Sequence, residues 1–374
     1  MSIFSEYRTV REIIAQHHAV IVYSESKYYY QYYQFLLNDL RKQSDKSILY
    51  ITSDKNDPLL KTAQPGLRVV YVKWLIQFLF SKLQGDVMIM TMPDLDNYGF
   101  KRSPLVGKYY YLPHASVSLH QQYTEKAFFH YDAILCAGGF HLEEVEKLKA
   151  TYQLKNIEPI PYGYPLFEEI HKRYSSRSSS VNSHERPRIL VAPSWFSGSI
   201  MDNCIEEVMA GLSRLECEVL IRVHPEYMKR KPDRYKHLLK LIAGYSNINI
   251  DQTINVLDSL LNADLMITDR SGIALEYAFG TLRPVLFIET PPKIHNSNWE
   301  KIGLEPIENS LRTDMGKVIA LDEMDRLGTV AMELINNKEK YTVSLDALKN
   351  AHFYSNRQVA GTVVQDILAN LKPR

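Results

Sequence analysis

The sequence predicts an α/β protein made of two doubly wound domains that face each other across a cleft. In the first half, strand-like apolar runs alternate with helical patterns, which is typical of a parallel sheet with crossover helices. A polar, serine-rich stretch without apolar period, residues 172–187, interrupts the alternation, and the pattern restarts at residue 188. Because 374 residues exceed the size of one typical core, we expect two domains joined by this linker.

The order of the predicted elements follows from the same alternation. In the first domain, residues 1–171, helical patterns such as 29–40 and 141–150 separate strand-like runs at 19–23, 47–51, 67–72, 86–90, 108–112 and 132–136. The second domain, residues 188–350, has such runs at 188–193, 218–223, 247–250, 263–267 and 284–288. The last segment, residues 351–374, is predicted to form a helix that returns to the first domain.

Bulk composition excludes several classes of function. A formal net charge of +1 gives no reason to expect nucleic acid as a partner. The three cysteines show no metal-ligand spacing and neither do the histidines and carboxylates, so no metal site is predicted. No segment approaches the roughly 20 apolar residues that span a bilayer. The N-terminus also lacks a signal-peptide pattern, and we expect a cytoplasmic protein.

The most informative segment is residues 267–278, where an apolar run ends in a polar turn and an amphipathic pattern begins at once. Ser271 and Gly272 would form the first turn of a helix, whose free N–H groups favour a diphosphate. Glu276 follows one turn later, where its carboxylate could accept hydrogen bonds from a ribose diol. Asp269 is a further candidate for the diphosphate site, although a helix cap explains Asp269 or Ser271 equally well.

Three other strand ends carry reactive side chains, and ligands bind at the carboxyl ends of strands in open parallel sheets. His114 follows Pro113 and could take a proton from an attacking hydroxyl. Arg222 and His224 would share a strand face and could reach one anionic group. Ser194 lies at a strand-to-loop corner that could hold the donor phosphates. Each residue alone is explained by an ordinary structural role, and the favoured functional interpretation depends on all four strand ends surrounding one cleft.

These motifs together resemble the CDP-glycerol glycerophosphotransferase family, the teichoic-acid primases and polymerases of the GT-B superfamily. The resemblance runs from about residue 114 to the C-terminus, and Arg222-Val223-His224-Pro225 matches the family's R-x-H-P. Its other landmarks fall at residues 132–136, 163–165, 190–195, 268–272, 283–287 and 359–368. The chain departs from the family where His114 begins His-Ala-Ser-Val-Ser-Leu instead of H-G-T-x-x-K, and where Gly272 replaces a second serine.

The resemblance implies two Rossmann-like domains of the GT-B type, with the acceptor on the first and the nucleotide donor on the second. It implies that His114 is the base, that His224 with Arg222 serves the donor phosphates, and that Ser271 and Gly272 hold the diphosphate. The expected reaction transfers a polyol phosphate, most simply glycerol phosphate, from a CDP-alditol to an acceptor hydroxyl, without metal or other cofactor. The acceptor would be lipid-linked or a glycan, in teichoic-acid or capsule-like polymer synthesis, with peripheral contact at the inner membrane leaflet.

Three alternatives remain open on the sequence alone. A GT-B glycosyltransferase would use the same cleft with a nucleotide sugar and attack at an anomeric carbon. A non-catalytic GT-B scaffold would bind nucleotide without turnover. A nucleotide-sugar epimerase is less favoured, because such enzymes usually carry more acidic catalytic residues in the first domain.

Overall fold

The computed structural model describes residues 3–178, 186–253 and 255–372, and contains two all-parallel sheets. The seven-stranded first sheet has the order β3-β2-β1-β4-β5-β6-β7. Its strands are β1 (His18–Ser24), β2 (Ile48–Thr52), β3 (Leu67–Tyr71), β4 (Gly85–Met90), β5 (Val106–Tyr111), β6 (Ala133–Cys136) and β7 (Glu158–Pro161). Its helices are α1 (Ile3–Ile14), α2 (Tyr30–Gln43), α3 (Ile76–Phe80), α4 (Leu119–Gln122), α5 (Gly139–Tyr152) and α6 (Pro165–Ser178), with a 3-10 turn at Pro58–Lys61.

The six-stranded second sheet has the order β10-β9-β8-β11-β12-β13. Its strands are β8 (Arg188–Val191), β9 (Glu218–Ile221), β10 (Ile248–Ile250), β11 (Leu265–Thr268), β12 (Val285–Ile288) and β13 (Gly316–Ile319). The helices are α7 (Ile200–Asn203), α8 (Ile205–Leu212), α9 (Pro225–Arg230), α10 (Pro232–Ile242), α11 (Val256–Asn262), α12 (Ile273–Thr281), α13 (Ile307–Ser310), α14 (Arg312–Met315), α15 (Leu327–Asn336), α16 (Lys338–His352) and α17 (Asn356–Ala369). Two 3-10 helices cover Trp299–Ile302 and Leu321–Arg326.

The prediction of two parallel α/β sheets is confirmed, and the structure adds two strands that the sequence analysis did not predict. Both are edge strands, β7 and β13. The first contains two prolines and the second begins with glycine, so neither forms the buried apolar run by which inner strands are recognised.

The predicted linker is wrong over residues 172–178, because these residues form the end of α6. Polar and charged side chains on the outer face of α6 hid its helical period. Arg173, for example, pairs with Glu169 one turn earlier at 2.6 Å. The inner face carries Phe167 and Ile170, which are buried. Of the remaining predicted linker, residues 186–187 lead irregularly into β8, and residues 179–185 lie outside the described residues.

Helix α6 joins the two sheets through a shared apolar core. It packs against α12 so closely that a Cβ on Gly280 would lie 2.4 Å from the Cγ2 atom of Ile170. The rings of Phe167, Phe279 and Phe353 contact one another with centroids 5.1–5.4 Å apart. Burial of aromatic surface between the sheets therefore holds their facing edges together.

The C-terminal helix α17 packs on α2 and β7 of the first sheet. The carboxylate of Asp366 accepts hydrogen bonds from the Tyr110 hydroxyl at 2.6 Å and from the Lys108 ammonium at 3.0 Å. Val363 and Ile367 are buried in the core of the first sheet. Across the described ranges, no helix combines the length and apolar character needed to cross a bilayer.

Candidate active site

The carboxyl ends of β5 and β11 meet across the interface between the two sheets. The loop that follows β5 packs on the start of α12, where a Cβ on Gly272 would lie 2.7 Å from Val117. The same loop is fixed by Glu308, whose carboxylate accepts hydrogen bonds from the Ser118 N–H at 2.8 Å and the Ser118 hydroxyl at 2.9 Å. The structure thus brings the His114 loop directly against the Ser271-Gly272 corner.

His114 is half-buried at this junction, with its tautomer fixed by one hydrogen bond. Its Nδ1 lies 3.1 Å from the carbonyl oxygen of Thr91, which can only accept, so Nδ1 carries the proton. The rings of Tyr29, Tyr32 and Tyr123 surround the imidazole at 5.3–6.2 Å. Burial, aided by the charge of Lys293, lowers the pKa of His114 to about 4. At neutral pH its Nε2 therefore presents a lone pair, as a general base requires.

His224 is held in the opposite tautomer. It caps α9 by accepting a hydrogen bond at Nδ1 from the Glu226 N–H at 3.1 Å, so the proton of the neutral ring resides on Nε2. Burial and the charge of Lys293 lower the pKa of His224 to about 4. The Trp195 ring lies beside the imidazole with centroids 6.2 Å apart. A neutral His224 can thus donate a hydrogen bond to an oxyanion.

Lys293 is the functional candidate that the sequence analysis missed. It follows β12, is half-buried, and lowers the pKa of both His114 and His224. Burial lowers the pKa of Lys293 itself, and among the described residues it forms no ion pair within 4.0 Å. A desolvated ammonium between two neutral histidines favours an anionic ligand. Its position after a strand, beyond Pro291 and Pro292, is the same signal that identified the other strand ends.

Asp269 and Ser194 lie together because they form hydrogen bonds with each other. The Ser194 N–H and hydroxyl donate to Asp269 Oδ1 at 2.9 and 2.5 Å, and the Ile200 N–H donates to Oδ2 at 2.9 Å. The carboxylate is buried and also accepts the Arg270 N–H at 2.6 Å. With both oxygens engaged by its own chain, Asp269 joins the ends of β8 and β11 and positions Ser194, rather than contacting a diphosphate directly.

The Ser271-Gly272 corner precedes α12 as predicted from the sequence pattern. The carbonyls of Ser271 and Gly272 accept the first helical hydrogen bonds, from Ala274 at 3.2 Å and Leu275 at 3.1 Å. The N–H groups of Gly272 and Ile273 precede these bonds and have no intrahelical partner. Gly272 has ordinary helical angles, φ −61° and ψ −19°, so its lack of a side chain serves the close approach of Val117.

Glu276 is buried at the junction rather than open to a ribose. Its Oε1 accepts a hydrogen bond from the Tyr164 hydroxyl at 2.7 Å, and the same hydroxyl lies 3.3 Å from the His114 carbonyl oxygen. Burial raises the pKa of Glu276 to about 7, against the opposing effect of Tyr164. Glu276 therefore links the donor-side helix α12 to the backbone of the predicted base.

Arg222 points toward the edge of the second sheet and not toward His224. Its guanidinium pairs with the buried Asp251 at 2.7 Å and donates to the Ser259 hydroxyl at 3.0 Å. Strand β9 ends at Ile221 and His224 already caps α9, so strand alternation does not extend over this motif. The expectation that Arg222 and His224 share one face is wrong for this reason.

Replacing Glu276 by glutamine tests whether the junction retains a destabilising acid. The native state binds the Glu276 proton more tightly than the unfolded chain does. The contribution of Glu276 to stability therefore falls as the pH rises from the ordinary pKa of a glutamate toward 7, the raised pKa of Glu276. We expect Glu276→Gln to increase the free energy of unfolding by about 2 kcal/mol at pH 8 and by little at pH 5. Urea unfolding at both pH values measures this, with the exposed Glu300→Gln as control. A loss of stability at pH 8 would contradict the assignment.

Solved structures resemble the chain, whereas no protein-family model and no curated protein sequence matches it. Two structures of the wall teichoic acid polymerase TagF, the second soaked with CDPG, superpose with TM-scores of 0.61 and 0.57 at 14% and 13% identity. They cover 99% and 94% of this chain and 98% and 88% of those chains. HepE from Anabaena, in complex with UDP and glucose, gives a TM-score of 0.53 at 10% identity and covers 93% of this chain and 100% of that one. The predicted GT-B fold is confirmed: this chain has two facing α/β domains of the GT-B type.

Proposed function

We propose that the chain is a transferase that moves a polyol phosphate, most simply glycerol phosphate, from a CDP-alditol donor to an acceptor hydroxyl in cell-surface polymer synthesis. The observation that carries the proposal is the pair of neutral histidines in opposite tautomers, with the unpaired Lys293 near both. One ring offers a base and the other a donor to an anion. The likeness in fold to a teichoic acid polymerase, one structure of which was soaked with CDPG, supports the choice of donor.

In the proposed reaction, Nε2 of His114 takes the proton of the acceptor hydroxyl as its oxygen attacks the β-phosphorus of the donor. The bond from that phosphorus to the bridging oxygen breaks, and CMP leaves with the bond's electron pair. The products are CMP and a polyol phosphate ester of the acceptor, while the proton on His114 passes to solvent. Phosphoryl transfer of this kind depends mainly on positioning and charge stabilisation.

Charge on the diphosphate would be stabilised by Lys293, the Nε2–H of His224 and the N–H groups of the Ser271-Gly272 turn. The His224 ring and the backbone of the turn are fixed before the donor arrives, so they lose little freedom in the transition state. The Lys293 ammonium would supply positive charge at a half-buried position, where it acts more strongly than in water. We therefore propose that the reaction needs no metal or other cofactor, and that activity persists in EDTA.

The acceptor side is proposed to be the aromatic pocket around His114. The rings of Tyr29, Tyr32 and Tyr123 pack around the base and shield it from water. A lipid-linked or glycan acceptor would present that hydroxyl from the first domain, and the reaction would take place in the cytoplasm at the inner leaflet.

A GT-B glycosyltransferase is the second candidate, favoured by the likeness to HepE in complex with UDP and glucose. His114 would then deprotonate a hydroxyl that attacks an anomeric carbon, and a nucleoside diphosphate would leave. The nucleotide released, CMP or a diphosphate, separates this candidate from the first.

Alanine at either histidine tests the proposed chemistry. With labelled CDP-glycerol and a glycerol-phosphate primer, we expect His114→Ala to lower kcat by about a hundredfold or more because the base is lost. His224→Ala should lower kcat/KM by more than about tenfold. Because the pKa of each histidine is lowered to about 4, the wild-type rate should stay level down to about pH 5 as far as these histidines are concerned. The exposed His237→Ala serves as control, and near-normal transfer by His114→Ala would refute the assignment.

Replacing Lys293 by methionine tests the proposed role of the Lys293 ammonium in donor binding. Lys293→Met keeps the length of the side chain but removes its charge, and we expect donor KM to rise by about tenfold to a hundredfold. Loss of the ammonium should also raise the pKa of His114 and His224 toward ordinary values, which NMR titration of the imidazoles measures. The matched control is Lys301→Met, a nearby lysine that is more than half exposed. Unchanged donor KM together with unchanged imidazole titration would exclude this role.

A further inference from the structure

The loop that carries Lys293 belongs to the second domain but is held by α4 of the first. The main-chain N–H groups of His295 and Asn296 both donate to the carbonyl oxygen of Gln121, at 3.0 and 3.3 Å. The two prolines that precede Lys293 have no N–H group with which to bind their own domain. The main chain beside Lys293 is therefore attached to the domain opposite the one that contains it.

Two side-chain amides complete the attachment between the Lys293 loop and α4. The buried Asn296 donates from Nδ2 to the carbonyl oxygen of His120 at 2.9 Å, while its Oδ1 accepts the Asn298 N–H within the loop at 2.9 Å. Gln122 donates from Nε2 to the carbonyl oxygen of Lys293 itself, at 3.3 Å. Because buried amides are costly to leave unpaired, these bonds fix where the loop lies relative to α4.

Helix α4 is in turn anchored in the first domain. Glu144 of α5 is buried and accepts the Leu119 N–H at 2.6 Å, and its other carboxylate oxygen lies 3.3 Å from Nδ1 of His120. The loop that begins at His114 leads directly into α4. One segment of the first domain thus carries both the predicted base and the attachment of the Lys293 loop.

The position of the loop matters because the Lys293 ammonium acts on both site histidines. After burial, its charge is the next influence that lowers the pKa of His224, and it also contributes to the lowered pKa of His114. The charges of Glu308 and Asp269 oppose the effect of burial on the pKa of Lys293 itself. A charged group on a long flexible side chain is held in a functional geometry only when the residues around its backbone are held as well.

We propose that Asn296 and Gln122 are positioning residues, which hold Lys293 at the donor site by joining its loop to α4, so that the first domain completes the cation site of the second. Movement of the two domains apart would break these bonds and release the loop. The Lys293 charge would then be in place only in the arrangement that also presents His114. The proposal rests on the proposed function only for the donor that Lys293 binds, and the positioning itself requires neither donor nor turnover.

Titration of the imidazoles by NMR tests the positioning without substrate. Gln122→Met removes the amide but nearly keeps the length of the side chain, and Asn296→Asp replaces the donating amide nitrogen by oxygen. We expect each variant to raise the pKa of His114 and His224 toward ordinary values, by at least about half of the shift that Lys293→Met causes, because the ammonium moves away.

Two matched controls separate positioning from general effects. Gln84→Met removes a glutamine that likewise donates to a carbonyl oxygen, that of Ile14 at 2.8 Å, at the opposite edge of the first sheet. Ser297→Asp adds an exposed, solvent-screened charge beside Asn296 without removing the bonds to α4. Both should titrate as the wild type does. If the Gln122 and Asn296 variants lower the melting temperature but titrate like the controls, the contacts only join the domains and the proposal is overturned.

A double-mutant cycle determines whether Asn296 acts through Lys293. Asn296→Asp alone should raise the donor KM by about threefold to tenfold, and by less than about twofold in the Lys293→Met background, where the positioned ammonium is already absent. Equal effects in the two backgrounds overturn the proposal. The same cycle is read from the imidazole pKa values in the absence of donor, so failure of the positioning is distinguished from failure of the proposed chemistry.

Discussion

The site depends on the close packing of the loop after β5 against the start of α12. Gly272 lacks a side chain where Val117 approaches, and Glu308 fixes the neighbouring residue Ser118 by hydrogen bonds. The hydrogen bond between Tyr164 and Glu276 is a further contact of α12 with the first domain. This close packing brings the His114 loop of the first sheet against the second sheet, which carries His224.

Desolvation then determines the chemistry of four titratable groups at the junction. Burial lowers the pKa of the two histidines and of Lys293, and raises that of Glu276, so each shift favours the neutral form. Among the residues that the structure describes, Lys293 has no ion-pair partner, and an anionic donor would supply one. Of these four groups, Lys293 is the one whose charged form a diphosphate would stabilise directly.

The sequence predicted the inner strands, the two-sheet architecture and the strand ends that meet at the junction, because these follow from local apolar patterns. It could not predict which of the candidate side chains would be engaged by other residues of the same chain. Asp269 and Arg222 have the chemistry of ligand-binding residues, yet Ser194 and Asp251 engage them through tertiary contacts invisible to local pattern. Lys293 was missed for the converse reason, since nothing in its local sequence shows that it would remain unpaired near two histidines.

A nucleotide-binding measurement tests the proposed CDP-alditol donor directly. Thermal unfolding of the chain is followed with CDP-glycerol, CMP, UDP-sugars and GDP-sugars, since a ligand that binds the native state raises the melting temperature by mass action. We expect selective stabilisation by the cytidine nucleotides. Stabilisation by a uridine or guanosine sugar alone would contradict the CDP-alditol donor and favour a glycosyltransferase, and no stabilisation by any of them would favour a non-catalytic scaffold.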